Sequence, residues 1–283
     1  MFKVAQDSDA KYFLKKSKVL LYANEAEYSL MIGLAEILKS SAGNPPNPPI
    51  FLRCINEQSE TTSALIQTRV DNCVVTSATE PELVAFADFY LIKKLPVDGV
   101  VGPVAAAQCL AKKLGSGTSR SAQLAMSSKI LKLTEVIEPQ SAKGELSLAG
   151  EKDISIVADW LSEFAAEAVP HDAGNAVRYR SIAEAKINNS EIFLWTIDGV
   201  ARSVAHVGRP TKNGISVSAV YTPKEFRGQG YASNMVAQVS KRILGAGKEF
   251  CVLYTDATNP TSNKIYQNIG YEIIAESAYW ILK

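Results

Sequence analysis

Apolar and polar residues alternate most clearly in the C-terminal half of the chain, where the pattern predicts strands. Glu191–Ile197 and Ala201–Val207 flank Asp198–Gly199, a dipeptide typical of a two-residue hairpin turn. Ile215–Tyr221 alternates with the period of a half-buried strand. Phe250–Asp256 is almost entirely apolar, as expected for a strand buried on both faces.

Segments with helical periodicity also occur in this half of the chain. Glu151–Ala168 places apolar residues on one side, and a second apolar helix face begins at Ala232 and ends near Gly245. This second helix lies between Ile215–Tyr221 and Phe250–Asp256, so the order strand, helix, strand predicts a right-handed parallel crossover. Ligands of such units bind beyond the carboxyl ends of the strands.

The N-terminal half shows a similar but weaker alternation of elements. Asn24–Ser41 has the pattern of a helix that starts with a capping box, and Thr79 is expected to cap another helix. The final segment, Tyr271–Lys283, is interpreted as a hairpin. The polar stretch Glu138–Glu145 contains Pro and Gly and is a candidate linker.

These patterns predict an α/β fold made of two tandem domains. Each domain is expected to have a mixed, mostly antiparallel sheet with flanking helices and one parallel crossover. The predicted domains are residues 1–138 and 145–283, joined by a linker at 139–144.

Composition narrows the function classes. The 30 Lys and Arg residues almost balance the 29 Asp and Glu residues, which argues against a nucleic-acid partner. The first residues lack the apolar core of a signal peptide, and no apolar run is long enough to cross a bilayer. Four scattered cysteines and two histidines predict buried thiols rather than disulfides or a metal site. We therefore expect a cytoplasmic protein without bound metal.

The stretch "EFRGQGYA" follows the strand Ile215–Tyr221 and opens the next helix. Gly228 and Gly230 allow close approach of a ligand and unusual backbone torsions, while Arg227 adds a charged donor. Helix N-termini expose unpaired N–H groups and bind anions. The stretch lacks the Walker A and dinucleotide-binding patterns. Considered alone, it fits either a pyrophosphate-binding loop or a glycine-rich turn that binds nothing.

A second motif follows the strand Phe250–Asp256. In "NPTSNKIYQNIGY", Asn259 is expected as the N-cap of a helix, Pro260 as its first residue and Gly270 as its left-handed end. The two motifs, at this separation, resemble those of the GNAT superfamily of N-acetyltransferases. The resemblance covers about Gly144–Lys283.

The resemblance implies a role for each residue that matches the family pattern. Acetyl-CoA would be the co-substrate and a small-molecule or peptide amine the acceptor. Tyr266 would stand near the cofactor sulfur as general acid, and Asn259 would contact the cofactor. Main-chain groups would bind the rest of acetyl-CoA: those of Val220, Tyr221 and Thr222 the pantetheine arm, and those of Arg227, Gly228, Gln229, Gly230, Tyr231 and Ala232 the pyrophosphate.

The chemistry of amine acetylation adds further requirements. The oxyanion needs a donor, which the N–H of Val220 or Tyr221 can supply if the strand splays there. The amine must lose a proton; His206, Glu225 and water relays are the candidate acceptors, and His171 is expected in a loop. Tyr266 and Asn259 also have structural interpretations, as an edge-of-core aromatic and as a helix cap. The sequence leaves open a longer acyl chain, a protein N-terminus or lysine as acceptor, and a non-catalytic CoA sensor or scaffold.

The N-terminal half is expected to be a degenerate domain of the same kind. Val97–Ala107 is the predicted counterpart of the phosphate-binding loop, but it lacks an arginine, and no counterpart of Asn259–Tyr271 is found. We therefore expect this half to bind no cofactor and to have a structural or substrate-shaping role. The oligomeric state is left open.

Overall fold

Helices and strands alternate along the chain in a computed structural model that describes residues 2–40, 48–68, 72–168 and 175–283. The helices are α1 (Ala10–Ala23), α2 (Ser29–Ser40), α3 (Glu80–Lys93), α4 (Val104–Gly117), α5 (Ile154–Ala168), α6 (Ala176–Asn188), α7 (Tyr231–Gly245) and α8 (Pro260–Ile269). The strands are β1 (Phe2–Gln6), β2 (Ile50–Asn56), β3 (Thr61–Gln67), β4 (Asn72–Val75), β5 (Gly99–Pro103), β6 (Ala122–Leu133), β7 (Glu145–Leu148), β8 (Ile192–Ile197), β9 (Val200–Gly208), β10 (Gly214–Tyr221), β11 (Phe250–Asp256) and β12 (Glu272–Leu282).

The residues group into two units. Unit 1 consists of Met1–Ile130, Arg209–Lys212 and Ile273–Lys283, and unit 2 consists of Leu131–Gly208 and Asn213–Glu272. Strand β6 crosses the boundary between Ile130 and Leu131. The sequence boundaries 1–138 and 145–283 stay a prediction.

Unit 1 contains the strand order β1-β2-β3-β4-β5-β12. All these pairs are antiparallel except β4 with β5, which is parallel and is joined by the crossover helix α3. Its largest apolar cluster packs α3 and α4 against the sheet through residues such as Leu65, Phe86, Val100 and Leu110, all 0% exposed. The crossover is therefore buried against its own strands.

Unit 2 contains the strand order β11-β10-β9-β8-β7, with β10 and β11 parallel and the other pairs antiparallel. Helix α7 is the crossover between β10 and β11. One apolar cluster contains Met235 and Val239 of α7, and a separate one contains Trp160 of α5 and Ala183 of α6. The predicted mixed sheets, each with one parallel crossover, are confirmed.

Three sequence-based assignments were wrong. The predicted helix Asn24–Ser41 begins only at Ser29, and Asn24 is the C-cap of α1, a helix that the sequence analysis missed; Ser41 lies outside the described residues. The predicted hairpin at Tyr271–Lys283 is one continuous strand, β12. That segment contains no Gly, Pro, Asn or Asp after Tyr271 to form a tight turn.

The third error concerns the counterpart of the phosphate-binding loop in the N-terminal half. Helix α3, rather than Val97–Ala107, connects the parallel strands of unit 1, so the position equivalent to the start of α7 is the start of α3 at Thr79 and Glu80. Helix α4 then follows β5 as α8 follows β11, so a counterpart of that helix exists.

The cysteines are free thiols, with Cys54, Cys73 and Cys251 buried and Cys109 half-buried. Burial raises the pKa of the Cys54 and Cys73 thiols to about 12 and that of Cys251 to about 11. Among the described residues, no group of three or more His, Cys, Asp and Glu side chains is arranged to hold a metal ion. The described helices include none that is long and apolar enough to cross a membrane.

Candidate functional site

The start of α7 is open and rich in hydrogen-bond donors. Gly228 and Gly230 both have φ +79°, a left-handed conformation that favours glycine. The Asn234 N–H donates to Gly230 O at 3.0 Å, so the N–H groups of Tyr231, Ala232 and Ser233 precede this bond. Among the residues that the structure describes, no side chain caps the helix, and a Cβ added at Gly228 would meet no atom within 4 Å. These three N–H groups therefore precede the first bond of the helix and follow a loop that has free space at Gly228.

Asn234 holds this loop in place. Its Nδ2 donates to Gln140 O at 2.9 Å and to Gly230 O at 3.0 Å, while its Oδ1 accepts the Ala142 N–H at 3.3 Å. Asn234 is 8% exposed. The sequence analysis missed this residue, although a polar residue beside Met235 on an otherwise apolar helix face is a detectable signal.

The Arg227 guanidinium is already bound. Its Nε donates to Thr222 O at 2.8 Å, and one terminal nitrogen contacts both carboxylate oxygens of Glu167 at 2.8 and 3.1 Å. It also lies 5.6 Å from the centre of the Tyr221 ring. The guanidinium therefore fixes the end of β10 to α5. The exposed glycine loop follows it, with Gln229 at its tip.

Strand β10 is irregular just before this loop. Ser218 pairs with His206 and Tyr221 with Val204, so the register shifts between them, and Ala219 has φ +47°. The parallel ladder of β10 with β11 covers Gly214 to Ser216. The main chain of Ala219–Tyr221 thus lies beyond the ladder and in a bulge.

The end of β10 is tied to β9 by Ser203. The Ser203 hydroxyl contacts both Tyr221 O and the Thr222 Oγ1 at 2.8 Å. Together with the bond from Arg227 to Thr222 O, these contacts engage the carbonyl groups of Tyr221 and Thr222. A carbonyl oxygen has two lone pairs, so each can still accept a second hydrogen bond.

Helix α8 has the predicted caps. The Asn259 side chain accepts the Ser262 N–H at 3.0 Å, Pro260 is in the first turn, and Gly270 ends the helix with φ +105°. Asn259 is therefore a structural cap. Asn263, which the sequence analysis missed, is 7% exposed and donates to Asp256 O at 3.2 Å, so it joins α8 to the end of β11.

Tyr266 is half-buried, and its ring centre lies 6.0 Å from that of Tyr271. Tyr266, Val220 and Tyr231 pack against the same apolar cluster, so three of the predicted residues come together. Burial raises the pKa of Tyr266 to about 12. Within the described part of the chain, its hydroxyl has no recorded hydrogen-bond partner.

A cleft of about 390 Å³ lies between α5 and the end of β10. The residues that line it include Trp160, Glu163, Glu167, Tyr221, Pro223 and Glu225. The Tyr221 hydroxyl donates to Glu163 Oε2 at 2.9 Å. Burial, and then the hydrogen bond to Glu163, raise the pKa of Tyr221 to about 12. The cleft is thus lined by aromatic rings, three carboxylates and one lysine, Lys224.

The candidate bases lie in different environments. Glu225 is exposed beside the cleft, whereas His206 is 8% exposed and contacts Ser218 and Lys186. His171 lies outside the described residues.

Comparisons with known proteins agree with this geometry. Residues 201–281 match the family described as FR47-like protein. A search of curated proteins returned no match.

Solved structures cover the whole chain. A GCN5-related N-acetyltransferase from Sphaerobacter thermophilus is 14% identical with a TM-score of 0.63, covering 100% of this chain and 95% of its own. A GNAT-family acetyltransferase from Colwellia psychrerythraea is 14% identical with a TM-score of 0.55, covering 99% of both chains. A tandem GNAT protein of the clavulanic acid biosynthesis pathway is 10% identical with a TM-score of 0.54, covering 99% of this chain and 98% of its own. The resemblance found in the sequence is confirmed: the chain has the fold of the GCN5-related N-acetyltransferases, as tandem GNAT proteins do, and an FR47-like region at residues 201–281.

Proposed function

We propose that unit 2 transfers an acetyl group from acetyl-CoA to a primary amine. The observation that carries this proposal is the uncapped, glycine-rich start of α7 beside the bulge of β10. Free amides at a helix start bind phosphate groups, and a bulged strand end offers main-chain groups to an extended ligand. The two features are adjacent in the chain.

The residues present fit acetyl-CoA. Gly228 leaves room for a phosphate group above the loop, because a Cβ there would meet nothing within 4 Å. The main-chain N–H groups of Arg227–Ala232 would hold the diphosphate, and Val220–Thr222 would pair with the pantetheine arm. Asn259 would contribute through its backbone and the position of α8, since its side chain caps the helix. When bound, acetyl-CoA supplies the thioester carbon that is transferred.

Tyr266 is the proposed general acid. With its pKa raised to about 12, the Tyr266 hydroxyl keeps its proton at neutral pH. Its Oη, which has no hydrogen-bond partner among the described residues, would donate that proton to a departing thiolate, a role that side chains of this kind can perform. The N–H of Val220 or Tyr221, in the bulge, is the proposed donor to the oxyanion.

The cleft beside β10 supports an amine as acceptor. Three carboxylates, those of Glu163, Glu167 and Glu225, line it against one lysine, Lys224, and this excess of negative charge attracts a protonated amine and disfavours an anionic acceptor. Glu225 is exposed and has no recorded ion pair within the described residues. It is therefore the proposed acceptor of the amine proton, directly or through water.

The test is a thiol-release assay with acetyl-CoA and a panel of primary amines, using wild-type protein, Tyr266→Phe and Tyr12→Phe. We expect Tyr266→Phe to lower kcat by about 10²-fold or more, the usual contribution of a general acid, with unchanged CoA affinity by calorimetry. Tyr12, an exposed tyrosine in unit 1, is the control for loss of a hydroxyl. Equal turnover by wild type and Tyr266→Phe would contradict the assigned role.

The same assay separates the other candidates. Faster thiol release from a longer acyl-CoA would reassign the donor, and turnover only with peptides would reassign the acceptor to a protein N-terminus or lysine. CoA binding without turnover on any amine would favour a non-catalytic sensor or scaffold.

A further inference from the structure

The cleft between α5 and the end of β10 contains carboxylates that differ in their contacts. Glu163 and Glu167 lie one turn apart on α5, and Glu225 lies in the short turn Lys224–Phe226 that follows β10. One terminal nitrogen of Arg227 contacts both oxygens of Glu167, at 2.8 and 3.1 Å. The charge of Glu167 is therefore compensated by a residue of the chain itself.

Glu163 is held in place but keeps its charge. The Tyr221 hydroxyl donates to Glu163 Oε2 at 2.9 Å, and a neutral phenol orients a carboxylate without cancelling its charge. Tyr221 is 7% exposed and packs in an apolar cluster with residues of α5, so this donor is fixed. The other oxygen of Glu163, Oε1, has no recorded hydrogen-bond partner among the described residues. Because Glu163 is exposed and lines the cleft, Oε1 can accept a hydrogen bond from a ligand.

The remaining charged residues of the lining are Lys224 and Glu225. Both are exposed, and neither has a recorded ion pair within the described ranges. Lys224 and Arg227 together compensate two of the three carboxylates, so the cleft keeps about one net negative charge. The amine that attacks a thioester must be neutral. A monoamine in its reactive form therefore leaves the charge of the cleft unbalanced, whereas an acceptor with a further ammonium group balances it.

The rest of the lining is apolar. Trp160, Ala166, Tyr221 and Pro223 line the cleft together with the carboxylates. Aromatic rings pack against methylene groups and attract a neighbouring ammonium group through the cation–π interaction. The volume of about 390 Å³ lies within the range of small-molecule sites, about 300–1,000 Å³. The cleft therefore suits an aliphatic chain with a charged end.

We infer that Glu163 is a specificity-determining residue that binds a second ammonium group of the acceptor, with Tyr221 as its positioning residue. This inference rests on the proposed acetyl transfer, and it assigns the acceptor class as aliphatic diamines. The near nitrogen attacks the acetyl carbon, so that a C–N bond forms and the thioester C–S bond breaks. The proton of this nitrogen passes to Glu225, directly or through water, and Tyr266 protonates the departing thiolate. The far ammonium group stays at Glu163 and keeps its protons.

One consequence is that the reaction should stop after one acetyl group. A monoacetylated diamine has a neutral amide at one end, so it has no second ammonium group for Glu163 while its free amine reacts. We expect its kcat/KM to be about ten-fold lower than that of the diamine, the effect of one lost hydrogen bond to a charged group. Mass spectrometry of the products measures this, and equal rates for the first and second acetylation would contradict the inference.

Acceptor selectivity tests the role of Glu163. Short diamines such as 1,4-diaminobutane are compared with alkylamines of the same chain length, such as butylamine, in the wild type, Glu163→Gln and Asp159→Asn. Glu163→Gln should lower kcat/KM about ten-fold for the diamine, through KM, and less than three-fold for the alkylamine. Asp159 is exposed on the same helix outside the cleft lining and is the control. Equal selectivity of the wild type and Glu163→Gln would overturn the inference.

Tyr221→Phe tests the positioning role. It should raise KM for the diamine about three-fold. In the Glu163→Gln background it should not change the ratio of diamine to alkylamine turnover further, because Tyr221 acts on this ratio through Glu163. Additive losses of selectivity in the double variant would show that Tyr221 supports the cleft independently of Glu163, and the positioning role would be wrong.

Binding measurements separate this inference from the proposed function. Calorimetry, with and without CoA, should show tighter binding of 1,4-diaminobutane than of butylamine, and Glu163→Gln should remove the difference. Wild-type heat of CoA binding in Glu163→Gln shows that this variant folds. If the wild type binds CoA and acetylates both amines equally well, the inference is wrong although acetyl transfer stands. If it binds the diamine through Glu163 but neither binds CoA nor transfers acetyl groups, the proposed function fails and the diamine site stands.

Discussion

The starts of helices α3 and α7 occupy equivalent positions in the two units and differ in chemistry. Each helix connects the two parallel strands of its unit. At α3, Glu82 Oε2 accepts both the N–H and the hydroxyl of Thr79 at 2.8 Å, and Glu80 adds a second carboxylate to the first turn. At α7, a glycine precedes the helix and no acidic residue lies in the first turn.

The two units therefore share the same fold element but differ in whether the start of that helix can bind an anion. Both helices follow the carboxyl end of a strand, yet the Glu82 carboxylate accepts hydrogen bonds at the start of α3, while no side-chain hydrogen bond from the described residues caps the start of α7. We propose on this ground that unit 1 binds no CoA. We propose that only the helix start without a cap, that of α7, binds a phosphate group.

The largest effect on CoA affinity is expected from placing a carboxylate in the glycine loop that precedes α7. Gly228→Asp should weaken CoA binding about 100-fold or more, because an anion would then face the diphosphate at a site that depends on the helix dipole. Gly228→Asn is the matched control: both residues tolerate positive φ, and a Cβ at this position has free space. Calorimetry should show at most a few-fold loss for Gly228→Asn, whereas equal affinities of the two variants would refute an anion site.

A smaller effect on CoA affinity is expected when the glycine loop before α7 loses the hydrogen bonds of Asn234 and no charge is added. Asn234→Leu removes the bonds to Gly230 O and Gln140 O, so the loop should lose its fixed shape and CoA affinity should fall about ten-fold. Gln238→Ala, at an exposed position of the same helix, is the control. Unchanged affinity of Asn234→Leu in calorimetry would show that the loop keeps its shape without these bonds.

The closed start, meaning the start of α3 with its Glu82 carboxylate, should contribute to the stability of the fold and not to CoA binding. Although burial raises the pKa of Glu82, hydrogen bonds from Thr62 and Thr79 outweigh burial and lower it. A carboxylate with a depressed folded-state pKa stabilises the fold above its unfolded-state pKa, and this stability is lost as the pH falls through the folded-state pKa. Glu82→Gln should therefore cost about 1 kcal/mol at neutral pH and progressively less as the pH falls through the folded-state pKa of Glu82. Urea unfolding over a series of pH values measures this; a cost that does not change with pH would contradict the assigned charge.

The smallest effect is expected at the ion pair between Arg227 and Glu167. The two side chains are 44% and 40% exposed, and exposed pairs contribute between 0 and about 1 kcal/mol. Glu167→Gln should change the free energy of unfolding by less than about 0.5 kcal/mol and CoA affinity by less than three-fold. A large gain in CoA affinity would show that Glu167 competes with the cofactor for Arg227.

Local patterns were sufficient to predict most of unit 2. The Asp198–Gly199 turn, the alternation in Ile215–Tyr221 and the caps at Asn259 and Gly270 are all short-range signals, and all appear in the structure. In unit 1, α1 was missed because its apolar residues alternate with a run of lysines. Strand β12 spans 11 residues, which is longer than most strands, and the hairpin predicted for this segment was wrong.

The contacts that shape the candidate site are mostly long-range, so no local pattern reports them. Glu167 lies 60 residues before Arg227 in the chain, and Gln140 lies 94 residues before Asn234. His206 was placed on a strand correctly, but its contacts with Lys186 and Ser218 join residues 20 and 12 positions away in the chain. The sequence therefore predicts which loop could bind a phosphate group through its main chain. It does not predict which contacts the surrounding side chains make.

The comparison of the two helix starts is tested most directly by the number of CoA molecules bound per chain, measured by calorimetry on the full-length protein. We expect one molecule per chain, with binding strongly weakened in Gly228→Asp. No heat with wild-type protein would contradict the phosphate site in unit 2, and two molecules per chain would contradict the closed start of α3.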